Sequence, residues 1–173
     1  ALPISEVLKK LDILSLKVIR WTRQWDKPGQ PYIAFEDYPE LSVATTSVHD
    51  STTLRQWWNQ EKDSVWAFLN SIKEEKKPDG NSAFTPEIAE YVHRQLAKCR
   101  SALLINPLQD YLFLEHCFFL ENENDERINI PGSVNTFNWT YRIPVTIKEI
   151  SENKSLLSKI NLIVKEHDGE QEE

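Results

Sequence analysis

Apolar residues recur three and four positions apart at Ile4, Val7, Leu8 and Leu11, the spacing of one helix face. Beyond Asp12 the period shortens, and Leu14 to Arg20 alternates as a strand does. From Trp21 to Glu40 periodicity is lost: Pro28-Gly29, Pro31 and Pro39 interrupt any regular element, with Trp21, Trp25, Tyr32, Phe35 and Tyr38 spread between them. A loop so long and so aromatic is expected to cover or line something. Ser42 to Thr46 is small and β-branched and predicts a second strand, and the hydroxyls Ser51, Thr52 and Thr53 then lead into a helix through Trp58. Trp57 and Trp58 point in different directions on that helix, so one is expected to pack inward.

A second helix presents Val65, Trp66, Phe68, Leu69 and Ile72, and Lys73 to Phe84 is a polar connection. Thr85-Pro86-Glu87 is a helix start, with an N-cap hydroxyl, proline at the first position and a carboxylate at the positive end of the dipole. Ile88, Val92, Leu96 and Cys99 form its stripe. Ala102 to Ile105 is a fully apolar strand of the kind found inside parallel sheets. Asn106-Pro107 opens a helix to about Leu114, with Gln109 at the capping-box position. Asn124 to Arg142 reads as loop. Thr146 and Glu149 then form a capping box for a C-terminal helical region with Leu156, Ile160, Ile163 and Val164 on its apolar side. Each strand is followed by loop or helix, which predicts an α/β fold with a parallel sheet. Three strands are few for such a sheet, whose faces and edges must be covered, so the chain reads as part of a larger one.

Composition narrows the function classes. The net charge of −7 argues against a nucleic-acid partner, since phosphate binding needs clustered Lys and Arg. No apolar run is long enough for a transmembrane helix, so no membrane partner is expected. The start lacks the series of a secretory signal. A chain that begins at Ala1 and has no Met reads as a processed product or a fragment. Acidic residues gather in Glu121 to Glu126 and at Glu166 to Glu173, both expected to be solvated, which sets residues 1–166 apart from an acidic tail at 167–173. Cys99 and Cys117 lie in apolar contexts and read as reduced, buried thiols, which points to the cytoplasm.

The chemistry on offer is modest. His49-Asp50 follows a strand end, the edge where parallel α/β proteins build sites, although a capping Asp and a packed imidazole look the same. Asn129-Ile130-Pro131-Gly132 has the composition of a turn. His49, His93, His116 and His167 are dispersed and no Cys-x-x-Cys pair occurs, so no metal site is expected. Neither a phosphate-cradling glycine loop nor a nucleophile elbow is present, and no cofactor is implied. An acidic, aromatic-rich sheet edge remains. Its natural ligand is a neutral polyhydroxyl compound, with aromatic faces stacking on sugar rings and carboxylates and amides binding hydroxyls.

Three separated stretches, YPELSVATTSVHDSTTLRQWW, LQDYLFLE and ERINIPGSVNTFNWTYRIPV, resemble in order the C-terminal third of the amylomaltases, or 4-α-glucanotransferases. The resemblance implies the last three or so strands of a (β/α)₈ (TIM) barrel that moves α-1,4-glucan between maltooligosaccharides with retention. Retention uses one carboxyl group as nucleophile and another as acid and base. The resemblance further makes Asp50 a transition-state stabiliser and His49 a ligand of the same sugar. It also makes Asn129 a substrate contact and Asp26 a weaker candidate on the preceding loop, while Gln109-Asp110 matches a family motif that can serve structure. Neither the Arg-x-Asp-His motif of the nucleophile nor the Glu-Asp-Leu-Gly motif of the acid/base occurs here. The expected partners are therefore an α-glucan substrate and the rest of the barrel, with the chain alone inactive. The alternatives are a noncatalytic carbohydrate-binding protein and a structural half-barrel.

Overall fold

The computed structural model describes residues 4–169, so residues 170–173 of the expected tail lie outside the described residues. The elements are α1 (Ile4–Lys10), β1 (Ser15–Val18), β2 (Ser42–Thr45), α2 (Leu54–Gln60), α3 (Lys62–Ser71), α4 (Pro86–Ala97), β3 (Leu103–Leu104), α5 (Leu108–Leu112), α6 (Ile147–Glu152) and α7 (Lys154–Asp168). The three strands form one parallel sheet in the order β1-β2-β3, with Ser15 opposite Ser42 and Val43 opposite Leu103. The α/β class and the parallel sheet are as the sequence predicts. Because the strands run the same way, the segments that leave them, beginning at Ile19, Thr46 and Ile105, emerge along one edge.

The strands are shorter than their apolar runs. Ile19 and Arg20, predicted as the end of the strand, wind with Trp21 into a 3-10 turn after β1. The third strand is no interior strand among the described residues: Leu103 is 44% and Ile105 58% exposed. On the other side of the sheet Leu16 is 60% exposed, and α1 buries none of its residues.

The core forms around α2. Its start is a complete capping box: the Thr53 hydroxyl accepts from the Gln56 N–H and the Gln56 side chain accepts from the Thr53 N–H. Both tryptophans of the pair are buried, where one was expected to be. The α2 helix is covered on two sides, and each indole N–H finds an acceptor, Trp57 on Ser64 Oγ at 3.0 Å and Trp58 on the Ser82 carbonyl at 3.1 Å. Phe68 of α3 meets Trp57, Tyr32 and Phe35 edge-on, so the aromatic loop closes over this core as its composition predicts. Trp21 and Trp25 of the same loop stay exposed. Leu96 and Cys99 pack with Ala44 of the central strand, and α7 lies along α4 through Leu156 and Ile163. Val164, assigned to the apolar side of α7, is exposed.

Two local expectations are corrected. The α5 helix has no side-chain cap, because both intended residues are engaged elsewhere. Asn106 Oδ1 accepts from the Thr46 N–H at 2.9 Å, and Gln109 Nε2 donates to the Glu126 carbonyl at 2.5 Å. Both thiols are free, but only Cys99 is buried and Cys117 is exposed in a 3-10 turn. The capping box of Thr146 and Glu149 forms as predicted.

Phe68→Ala in the full-length protein is expected to lower stability by about 3–5 kcal/mol, because it empties the space between three rings. In urea denaturation the midpoint should fall at an unchanged slope.

Candidate active site

The turn carrying His49 and Asp50 begins at Val48, three residues past the end of β2. Ser51 Oγ accepts from the Val48 N–H at 3.2 Å, and the Ser51 N–H donates to the Val48 carbonyl at 3.0 Å. Such a closed turn turns His49 and Asp50 outward, and both side chains are about half exposed. His49 Nε2 lies 3.3 Å from Asp50 Oδ1. The far end of the connection is fixed by Arg20, buried just after β1. Its guanidinium donates to the Thr52 hydroxyl and to the Thr53 carbonyl, lies 3.7 Å from Glu61 and rests 5.5 Å over the Trp57 ring. Burial lowers its pKa to about 10, against the raising influence of Glu61 and Asp110.

Asn129 reaches Asp50 from far along the chain: its Nδ2 donates to Asp50 Oδ1 at 2.6 Å. Arg127 straddles the same contact, donating to the Asn129 carbonyl at 3.0 Å and to the Asp50 carbonyl at 3.4 Å. The motif's turn runs from Ile130 to Ser133, with Pro131 first and Gly132 second of its central residues. At φ 75° Gly132 holds a conformation that suits glycine there. Trp139 then brings its ring within 5.1 Å of the His49 ring. Its own backbone is left-handed, at φ 66°, and is held by a 2.8 Å bond from its N–H to the Ile128 carbonyl.

The acidic run, expected to be solvated, holds this loop in place. Glu126 is 1% exposed and accepts from Arg55 Nη1 at 2.7 Å and from the Leu120 N–H at 3.1 Å. Glu123 accepts from Asn59 and Gln60, and Asn124 from Gln56, all three on α2. Charge density in sequence cannot distinguish a solvated run from one that meets donors on a helix, and Arg55, Gln56, Asn59 and Gln60 supply them at helical spacing. Burial raises the Glu126 pKa more than Arg55 lowers it. The phenol of Tyr141 is pushed up to about 12 by burial and then by the Glu126 charge.

The structure thus brings His49, Asp50 and Asn129 together. Asp26 sits exposed in the loop after β1, and no hydrogen bond or ion pair joins it to those three. Trp139 and Arg127 are additions that sequence reasoning passed over. Arg127 had a signal in its adjacency to Asn129, whereas Trp139, farther along the same segment, had none. Chemically, Asp50 Oδ1 meets both Asn129 Nδ2 and His49 Nε2, and the His49 ring lies beside the indole of Trp139. That set of groups can accept from sugar hydroxyls and stack on a ring. Among the described residues no cluster of His, Cys, Asp and Glu suits a metal ion, and no helix is long and apolar enough to cross a membrane.

The model of the 4-alpha-glucanotransferase family matches residues 3–147. The chain belongs to that family. A 4-alpha-glucanotransferase of Chlamydia muridarum is 31% identical over 90% of this chain and 28% of its own length. That of Chlamydia caviae is 34% identical over 85% of this chain and 27% of its own. The rice enzyme 4-alpha-glucanotransferase DPE2 is 26% identical, with only 16% of its length covered. The chain therefore spans little more than a quarter of the length of these two chlamydial relatives. In fold it is similar to the amylomaltase of Streptococcus agalactiae solved in complex with acarbose, with a TM-score of 0.62 at 20% identity over 95% of this chain and 29% of that one. The amylomaltase of Corynebacterium glutamicum gives a TM-score of 0.65 at 16% identity, covering 94% and 27%.

Arg55→Met is expected to destabilise the full-length protein by about 3–5 kcal/mol near neutral pH, because it strands the Glu126 carboxylate without its cation. A raised carboxylate pKa means that the burial penalty is absent below the unfolded pKa and grows as pH rises through the folded one. The deficit should therefore shrink as pH is lowered from 7 toward 4. Urea titrations of both proteins across that range provide the check.

Proposed function

We propose that this chain is the C-terminal part of the (β/α)₈ catalytic barrel of a 4-α-glucanotransferase, and that it supplies the substrate-holding side of the active site. The observation that carries the reading is the meeting of His49, Asp50 and Asn129, from segments 79 residues apart, at the C-terminal edge of a parallel sheet. Barrels of this type build their sites on that edge. The substrate is an α-1,4-linked glucan, and transfer proceeds with retention through two carboxyl groups outside residues 1–173, one attacking the anomeric carbon and one handling the proton. Asp50 accepts hydroxyl hydrogens of the sugar being transferred. Those bonds strengthen as the ring flattens toward an oxocarbenium ion, so they favour the transition state over bound substrate. His49 and Asn129 orient the same sugar, Trp139 offers its face, and Asp26 reaches a more distant unit of the chain.

The exposed apolar residues on both sides of the sheet support a second part of the reading: the rest of the barrel is the partner of this segment. Beside β1 a groove of about 880 Å³ runs between α1 and Tyr38 to Leu41, lined by Ile4, Leu8, Ile13 and Leu16. A complete barrel has eight strands and about 250 residues, against three strands here. Residues 1–166 are then catalytic domain and 167–173 a tail. Two free thiols support a reducing, cytoplasmic setting.

In the full-length enzyme Asp50→Asn should lower kcat on maltotriose by the equivalent of about 3–4 kcal/mol, with the unfolding midpoint little changed. A rate near that of the wild type would remove Asp50 from the role given it. Residues 1–173 alone should release no glucose from maltotriose and form no longer oligomers. Turnover by the isolated chain would show that the missing carboxyl groups are not needed.

A further inference from the structure

A second buried carboxylate lies directly beneath the turn that carries His49 and Asp50. Asp110 of α5 is fully buried, and its Oδ2 accepts from Thr46 Oγ1 at 2.5 Å and from Ser47 Oγ at 2.6 Å. These are the lengths of charge-assisted O–H···O⁻ bonds. Beside it, Asn106 Oδ1 accepts from the Thr46 N–H. His93, buried and with its pKa lowered by that burial, places Nε2 3.0 Å from the Asp110 carbonyl. The Asn106 amide faces His93 Nδ1 at 3.3 Å and the His93 ring stacks on Tyr111, so the backbone of Asp110 is itself held in place.

Stability does not account for this arrangement. Asp110 Oδ1 is buried without a hydrogen-bond partner. A buried carboxylate with one orphaned oxygen is costly, and apolar residues of similar volume are commonly as good or better for folding. Both bonds from Oδ2 go to the two residues that lead from β2 into the turn, and Asp50 follows Ser47 by three positions. We infer that Asp110 is a positioning residue for glucan transfer: it clamps Thr46 and Ser47 so that the Asp50 carboxylate stands where the reacting sugar requires it. The inference rests on the function proposed above for Asp50. A misplacement of about 1 Å in such a group can cost on the order of 10²-fold in rate.

The test uses the full-length enzyme with maltotriose as substrate. Asp110→Leu should lower kcat about 10²-fold with a much smaller change in KM, whereas Asp110→Asn, whose amide oxygen still accepts both hydroxyls, should recover most of the rate. The deciding variant combines Asp110→Leu with Thr46→Val and Ser47→Ala. Removing every partner of the broken bonds together should return the unfolding midpoint close to that of the wild type. If Asp110 positions Asp50, kcat stays low in this stable variant. If kcat returns along with stability, Asp110 is only structural and the inference is overturned. Should Asp110→Leu fail to fold, Ser47→Ala alone removes one of the two bonds, and an unchanged kcat would be equally damaging. Absence of transfer by the wild-type enzyme would instead sink the proposed function. The clamp would then be judged by amide exchange across residues 46–51 in Asp110→Asn and Ser47→Ala, where faster exchange in Ser47→Ala supports it and unchanged exchange in both overturns it.

Discussion

The contact between Arg55 and Glu126 is what turns two distant stretches of chain into one site. Segment 119–145 contains no strand or α-helix, so it has no ladder of its own to fix its course. Its position comes from side chains on α2, with a nearly dry carboxylate at the centre of the docking strip. Burying that charge is unfavourable even with a guanidinium beside it, since burial still dominates the Glu126 pKa and its Oε2 is unpartnered. Geometry is the return on that cost: Asn129 lies three residues beyond Glu126 and ends within hydrogen-bond distance of Asp50. Asp110 repeats the pattern at Thr46 and Ser47. Two carboxylates, each with one satisfied and one orphaned oxygen, thus hold the two segments that carry Asn129 and Asp50.

The sheet provides the frame on which those contacts act. With β2 central and both neighbours parallel, the connections from all three strands leave on the same side, and Arg20 and Asn106 each bond to the connection that follows β2. Helix α2 then carries the core inward through Trp57 and Trp58, while its remaining faces hold Glu123, Asn124 and Glu126. One short helix thereby links the hydrophobic interior to the polar site.

Much of this frame was legible in the sequence because it rests on periodicity and on capping chemistry. The hydroxyl cap before Leu54, the Thr146 box, the Thr85-Pro86 start and the strand at Ser42 each follow from local rules that tertiary packing did not oppose. Expectations went astray where a side chain had two possible partners. Asn106 and Gln109 have the residue types of a cap, and the fold spends them on Thr46 and on Glu126 instead. The acidic run was misread for the same reason, since its donors lie more than 60 residues away on α2. His49, Asp50 and Asn129 were found through resemblance, and their convergence adds a geometric reason for grouping them. Trp139 has no local signature at all: a left-handed tryptophan is legible only in three dimensions.

Among the described residues the outer sides of β1 and β3 pair with no further strand, which has a consequence for handling as well as for architecture. A strand with an unpaired side presents a row of N–H and C=O groups that will pair with any other extended chain. The protection that such edges usually carry is thin here: β1 has one charge, Lys17, and β3 has none. The same backbone groups that would recognise neighbouring strands of a barrel therefore also favour adding strands from other copies of the segment. For these two short strands, self-association and the barrel assembly proposed above would draw on one set of hydrogen bonds.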